Sequence, residues 1–398
     1  MTVARRYSGY RSYDYLEEGT DYRSFHLAAD RDRVPGHELG LSDAQRQRVQ
    51  RILDEEIVIS LHDHPHIYPD DMSELIPYVK TGRTRTGYRG LSESGMTAVF
   101  DNLMDGYGCV TSSAGWKWDD LMVDLGLRLC DFAKQDYVRV AYSVDDITEA
   151  HREGQLAMVL SLEAATAIEN EVDRIDMLYG FGIRQMGVVY SESNNLGSGL
   201  KEPGDGGLTT FGRRAIERMN KLGMAIDVSH SSDQTCLDVI EASTAPVLIT
   251  HAGARGVWPS RRMKPDDVLL ACARSGGVLG IEAAPHTTIS PGHRAHSLES
   301  VMDHFVYCVD LMGIEHVGFG PDTLYGDHVG LHSAFDLGIR QDMVNWPEFT
   351  EVPYVSGLEN PTENFFNIVG WLVQHDYSDD EIRAVIGGNV LRVLNQIW

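Results

Sequence analysis

Five side chains in this sequence are of types that hold divalent metal ions: His62, His64, Glu163, His230 and His251. His62 and His64 are two residues apart. On an extended chain residues i and i+2 share a face, so both rings can reach one ion from one side. A carboxylate such as Glu163 has two oxygens, each able to take an ion, which makes it a natural bridge between two. Taken singly, each residue also has a plain structural explanation. A histidine after a strand is more often a satisfied core or loop residue, Glu163 fits a helix cap, and Asp322 after Pro321 fits a turn. His66 is read as such a bystander, one histidine too many for the site. Their shared placement is what gives the five their weight.

That placement follows from short, β-branched apolar runs separated by helices. The runs are 57–61 (IVISL), 157–162 (AMVLSL), 183–189 (IRQMGVV), 224–228 (MAIDV), 246–250 (PVLIT), 277–281 (GVLGI) and 316–320 (HVGFG). They are continuous, not alternating, as expected for parallel strands covered on both faces. His62 and His64 follow the first run, Glu163 the second, Tyr190 the third, His230 the fourth and His251 the fifth; Asp322 lies just beyond the last. In an open doubly wound sheet such positions spread along a ridge. In a (β/α)8 TIM-like barrel they converge on the C-terminal mouth, so the barrel is the expected α/β fold.

An eighth strand is expected around 96–103 or 137–142. Helix signals separate the runs: Ser42 before DAQRQRVQRILDEE, Thr209 or Thr210 before FGRRAIERMNKLG with Gly223 ending it, Pro265 ahead of two aspartates, and a Ser378–Glu381 capping box. The organisation expected is an N-terminal arm over 1–45, which a lid, an oligomer arm or a loose tail would all explain. One barrel follows over 46–398, with an insertion after the first strand over about 70–135, containing GWKWDD.

The balance of 34 basic against 59 acidic residues gives a formal charge of −25, which argues against a nucleic-acid or anionic-membrane partner. The basic, tyrosine-rich N-terminus lacks the apolar core of a secretory signal, and no run approaches the length of a membrane span. Cys109, Cys130, Cys236, Cys272 and Cys308 are scattered and unpaired in pattern, so free and mostly buried thiols in the cytoplasm are expected. No G-x-S-x-G follows a strand, which argues against a serine nucleophile. The glycine-rich GSGLKEPGDGG lacks phosphate-loop spacing and reads as an active-site loop.

The stretches GGLTTFGRRAIERMNKLGMAIDVSH, PVLITHAGARG, SRRMKPDDVL, VGFGPD and GGNVLRVL, in this order, resemble segments of the membrane (renal) dipeptidases, a branch of the amidohydrolase superfamily. The resemblance covers roughly residues 55–398. It implies that His62 opens the ligand set, Glu163 bridges two ions, and His230 and His251 hold the second. It implies Asp322 as the acid/base beside the ions and Arg262 as the grip on a dipeptide's carboxylate. Two positions depart from the family. His64 stands where an aspartate is usual, and Tyr190 stands where a histidine steadies the oxyanion, with Asn194 or Asn195 as alternative donors. The expected function is a cytoplasmic, homodimeric dipeptidase with two divalent ions, zinc expected, which supply a bridging hydroxide. Its substrate is a dipeptide, with a D-residue tolerated at the C-terminal side. The alternatives are a deacylase or lactonase acting on a small carboxylated amide or lactone, and a non-catalytic metal-binding scaffold.

Overall fold

The computed structural model describes residues 5–103, 117–335 and 347–398. Cys109, with Gly115 and Trp116 of GWKWDD, lies outside the described residues. The strands in chain order are β1 (Ile59–Ile67), β2 (Arg85–Thr86), β3 (Ala98–Leu103), β4 (Val138–Val140), β5 (Leu156–Leu162), β6 (Gln185–Gly187), β7 (Ala225–Asp227), β8 (Leu248–Ala252), β9 (Val278–Ile281), β10 (Val317–Phe319) and β11 (Leu324–Tyr325). Their spatial order is β10-β9-β8-β7-β6-β5-β3-β1-β11. Pairing along this path is parallel, with β2 antiparallel to β1 and β4 parallel to the start of β5.

All seven runs named above form strands. Both candidates for the missing strand do so as well. β3 is a full member between β1 and β5, whereas β4 is a three-residue partner of β5. The span expected as an insertion is therefore divided by a central strand. β1 also runs further than IVISL suggested, because the residues past Leu61 find partners in β2 and β11. His62 and His64 thus lie within β1, not beyond its end.

The curled sheet has an open ladder: among the described residues no strand pairing joins β10 to β1. Its two ends are nevertheless one step apart along the chain. After β10, Asp322 N–H donates to His62 O (3.0 Å), His64 N–H donates to Thr323 O (2.8 Å), and β11 then pairs with β1. Gly320 makes the turn possible, since a Cβ there would overlap the carbonyl of Thr250. The strands are almost wholly buried, and helices cover their outer face.

The helix signals act as read. Ser42 and Gln45 form a capping box, as do Ser378 and Glu381. Thr209 caps Thr210–Leu222, which Gly223 ends at φ 71°, and Pro265 precedes Asp266–Arg274. Among the described residues no helix is long and apolar enough to cross a membrane. Cys130 is exposed, and Cys236, Cys272 and Cys308 are buried free thiols.

The N-terminal arm is packed against the body. The Asp131 carboxylate, on the helix Trp118–Phe132, accepts from Tyr10 Oη (2.7 Å), Tyr13 N (2.7 Å) and Tyr88 Oη (2.8 Å). Ser12 and Thr86 exchange two hydrogen bonds, and Ala28 N–H donates to Tyr68 O. Asp131→Ala leaves three donors unmet, two of them buried, so a loss of roughly 2–4 kcal/mol in urea unfolding is expected, with faster proteolysis of the arm. A stability change below about 0.5 kcal/mol would show that the arm is not anchored here.

His304, on the helix Leu298–Met312, ties together the loops that follow β8 and β9. Its Nδ1 accepts from Ala254 N–H (3.0 Å) and its Nε2 lies 2.9 Å from Ile289 O, which fixes the proton on Nε2. Burial lowers its pKa to about 4, against about 6.5 in an unfolded chain. The unfolded state therefore binds the extra proton first. The stability from neutral His304 is complete above the unfolded value and drains away as pH falls towards the folded one. Wild type should lose roughly 2–3 kcal/mol more than His304→Gln between about pH 7.5 and about pH 4.5, measured by urea unfolding. Identical pH slopes would remove His304 as the cause.

Candidate metal centre

The strands bring the expected residues into one buried cluster. His62 and His64 project from β1, Glu163 follows β5, His230 follows β7, His251 lies in β8, and Asp322 follows β10. His62 Nε2 lies 3.4 Å from His64 Nε2, and the two nitrogens lie 3.3 and 3.0 Å from Asp322 Oδ1. On the other side Glu163 Oε1 lies 2.9 Å from His230 Nε2, 3.4 Å from His251 Nε2 and 4.0 Å from His62 Nε2. His230 and His251 approach to 3.0 Å through their Nε2 atoms. The His62 and His251 rings stack at 3.5 Å between centroids.

Three groupings have ligating atoms within 4.8 Å of one another: His62, His64 and Asp322; His62, Glu163 and His251; and His251, Glu282 and Asp322. Burial lowers the pKa of His62, and those of His230 and His251 well below the ordinary value, so these rings are neutral and keep a lone pair for a ligand. Burial by itself would raise the Asp322 carboxyl. The facing imidazoles of His62 and His64 instead hold it well below the usual range. Neutral imidazole nitrogens and anionic oxygens crowded at these distances suit a divalent cation, and the residues present fit one.

Three of the imidazoles meet a neighbouring polar side chain through the ring nitrogen that faces away from the cluster. Asn102, in β3, lies 2.8 Å from His62 Nδ1, and its Oδ1 has no other partner. With the amide turned so that Oδ1 accepts from Nδ1–H, the Nε2 lone pair of His62 faces the cluster. Ser191 Oγ lies 3.3 Å from His230 Nδ1, and Thr250 Oγ1 lies 2.9 Å from His251 Nδ1. Asp322 has φ 60°, a left-handed conformation uncommon outside glycine. Hydrogen bonds on both sides hold it there. Its own N–H donates to His62 O, and the N–H and hydroxyl of Thr323 both donate to Asp63 Oδ1 (2.8 Å each).

The remaining candidates are placed less uniformly. The Tyr190 ring stacks on His230 at 4.2 Å and 17°. Asn194 is committed to its own loop, donating to Val188 O (2.9 Å) and Thr166 Oγ1 (3.2 Å) and accepting from Leu196 N–H (2.8 Å). Asn195 is exposed and donates to Glu169 O (3.4 Å). Arg262 is buried beside the cluster; it donates to His251 O (3.1 Å) and Ser229 O (3.4 Å) and forms an ion pair with Glu282. His66 stays out of the cluster, its Nε2 lying 3.0 Å from Asp101 Oδ1.

Asn102, Asp63 and Glu282 were missed in the sequence. Glu282 had a signal, since it follows GVLGI just as Glu163 follows AMVLSL. A Glu282 oxygen lies within 4.8 Å of ligating atoms of His251 and Asp322. Burial pushes its carboxyl up to about 7 against the downward pull of Arg262.

Dipeptidase verJ of Clonostachys rogersoniana is 31% identical over 267 residues, 66% of this chain and 61% of that protein. Dipeptidase aclJ of Aspergillus oryzae is 30% identical over 266 residues, 66% of this chain and 57% of that protein. The chain thus spans about three fifths of the length of these relatives. Its fold is similar to that of an amidohydrolase from Pseudomonas aeruginosa (TM-score 0.72, 20% identity, 88% of this chain and 99% of the other). It is also similar to a metallo peptidase from Rhodobacter sphaeroides liganded with a phosphinate mimic of the dipeptide L-Ala-D-Ala (TM-score 0.66, 21% identity, 86% and 100%). Residues 46–398 match the family described as membrane dipeptidase, peptidase family M19, and the chain belongs to that family.

Proposed function

We propose that this chain is a binuclear metal-dependent dipeptidase that hydrolyses the peptide bond of dipeptides, including those with a D-residue at the C-terminal side. The observation that carries this reading is the pair of overlapping ligand groups sharing His62, with Glu163 close to His62, His230 and His251 together. His62 and His64 would hold one ion, His230 and His251 the other, and Glu163 would bridge them. Zinc is the first candidate, since neutral imidazoles with carboxylates are a donor set that zinc takes. When bound, two such ions acidify a water and polarise the scissile carbonyl. We also read the curled sheet as a (β/α)8 barrel that closes through residues 320–325.

The protein groups have separate tasks. Asp322, anionic and beside His62 and His64, takes the proton of the attacking water and returns it to the leaving amine. Tyr190, its ring held against His230, donates its hydroxyl to the oxyanion of the tetrahedral intermediate. Asn194 and Asn195 act by holding the shape of the loop after β6. The names of the relatives and the dipeptide mimic bound to the Rhodobacter protein support a dipeptide substrate. A second reading, a deacylase or lactonase on another small substrate, is favoured by the ion pair that Arg262 already makes with Glu282.

Asp322→Asn should retain its metal, measured by elemental analysis, and lose about 10²–10⁴-fold in kcat on dipeptides. Full turnover by this variant, or by metal-stripped protein, would sink the mechanism; inert dipeptides beside active N-acyl amino acids or lactones would select the second reading. Asn102→Ala should stay folded and lose about 10–100-fold in metal affinity, because nothing then fixes the His62 tautomer. Unchanged affinity in a chelator competition would show that Asn102 does not orient His62.

A further inference from the structure

His230 and His251, the imidazoles read as holders of the second ion, stand in separate turns, and one enclosed side chain joins those turns. Lys264 is 0% exposed. Its backbone lies along the chain just past His251. Its N–H donates to Gly253 O (2.9 Å), and Arg255 N–H donates to its carbonyl (2.9 Å). Its side chain reaches the other turn, where Nζ donates to Ser231 O (2.7 Å), the carbonyl next to His230. Nζ also lies 3.4 Å from Cys236 Sγ, on the helix Asp233–Ala242. Among the described residues Lys264 makes no ion pair, so Ser231 O is the one oxygen that its ammonium holds. The hydroxyl of Ser231 is buried without a hydrogen-bond partner among the described residues, so that side chain does not fix the turn. Arg262 meets Ser229 O, and two cationic side chains of one segment thus hold the carbonyls on either side of His230. A charge-assisted bond enclosed away from water fixes its acceptor more tightly than a neutral one.

We infer that Lys264 is a positioning residue for the second ion. By joining the two turns it sets His230 against His251, whose Nε2 atoms stand 3.0 Å apart. The inference rests on the reading that these two imidazoles hold an ion. Its effect has a definite sign. A positive charge near a cation site weakens binding, so loss of the charge alone would tighten the second ion. Loss of the positioning bond weakens it.

The test compares three forms of the metal-free full chain. They are wild type, Lys264→Met, which keeps the reach of the side chain without its donor, and Cys236→Ala, which removes the neighbouring thiol and keeps the bond to Ser231 O. Zinc is titrated by calorimetry, and backbone amide exchange is followed by mass spectrometry. Wild type should take two zinc ions. Lys264→Met should keep the first within about 3-fold and bind the second about 10–100-fold more weakly. Its amides in 229–233 and 253–257 should exchange at least about 10-fold faster, with β1 and β3 unchanged. Cys236→Ala should match wild type in both measurements. Lys264→Gln, one bond shorter, takes the place of Lys264→Met if that variant does not fold, with the same expectations. A second ion bound equally or more tightly, both ions weakened together, or the same change in Cys236→Ala overturns the inference. Unchanged exchange in the two turns overturns it in any case. If wild type takes fewer than two ions, the binuclear reading fails, and faster exchange confined to the two turns still supports the positioning by Lys264.

Discussion

The centre of this protein depends on one constraint: four imidazoles and two carboxylates are held facing one another where water is excluded. Nitrogen and oxygen atoms with lone pairs do not gather at 2.9–4.0 Å by attraction among themselves. Burial keeps His62, His230 and His251 neutral, so the cluster is not relieved by charging the rings. The scaffold must therefore impose the arrangement. A parallel sheet does this well, because its curl brings the C-terminal ends of separate strands to one place. β5, β7 and β10 each deliver one residue of the cluster from beyond their last residue, and β1 and β8 deliver theirs from within.

The scaffold solves the orientation problem with short polar side chains close to the strands. Asn102, Ser191 and Thr250 each contact the ring nitrogen that faces away from the cluster. Asp322 is handled differently, since its backbone is in a conformation that costs free energy outside glycine. Hydrogen bonds through Asp63 and Thr323 on one side and His62 on the other hold it in place. Asn364 Nδ2 donates to Thr323 Oγ1 (2.7 Å), so the helix Asn364–Gln374 also takes part. The end of the chain is in this way coupled to a side chain on β1.

The strands were legible in the sequence because parallel strands buried on both faces leave continuous apolar runs, and the clustered histidines and carboxylates were legible because they stand at the ends of those runs. Legibility failed where pairing partners set the limits of an element. Nothing in HDHPHI announces a strand, and β1 extends through it only because β2 and β11 lie alongside. β3 was blurred for a similar reason. AVFDNL carries two polar residues, and both are used in the interior: Asp101 with Arg128 and His66, Asn102 with His62. The anchorage of the arm through Asp131 could not be read at all, since it joins Tyr10 and Tyr13 to a helix more than a hundred residues away.

Arg262 shows how a buried charge is compensated within the fold. Removing a guanidinium from water is costly unless a carboxylate and further acceptors compensate it. In a site that grips an anionic substrate, that compensation arrives with the ligand, and the empty site carries an exposed or partly hydrated charge. In this chain Glu282 provides the compensation within the fold, from the strand next to the one that carries His251. The guanidinium is thereby balanced before any ligand arrives. Together with His64 and a tyrosine stacked on His230, the pair concentrates this chain's individuality around the cluster. The candidate metal-binding groups share His62 and His251, so the cluster is continuous across the sheet.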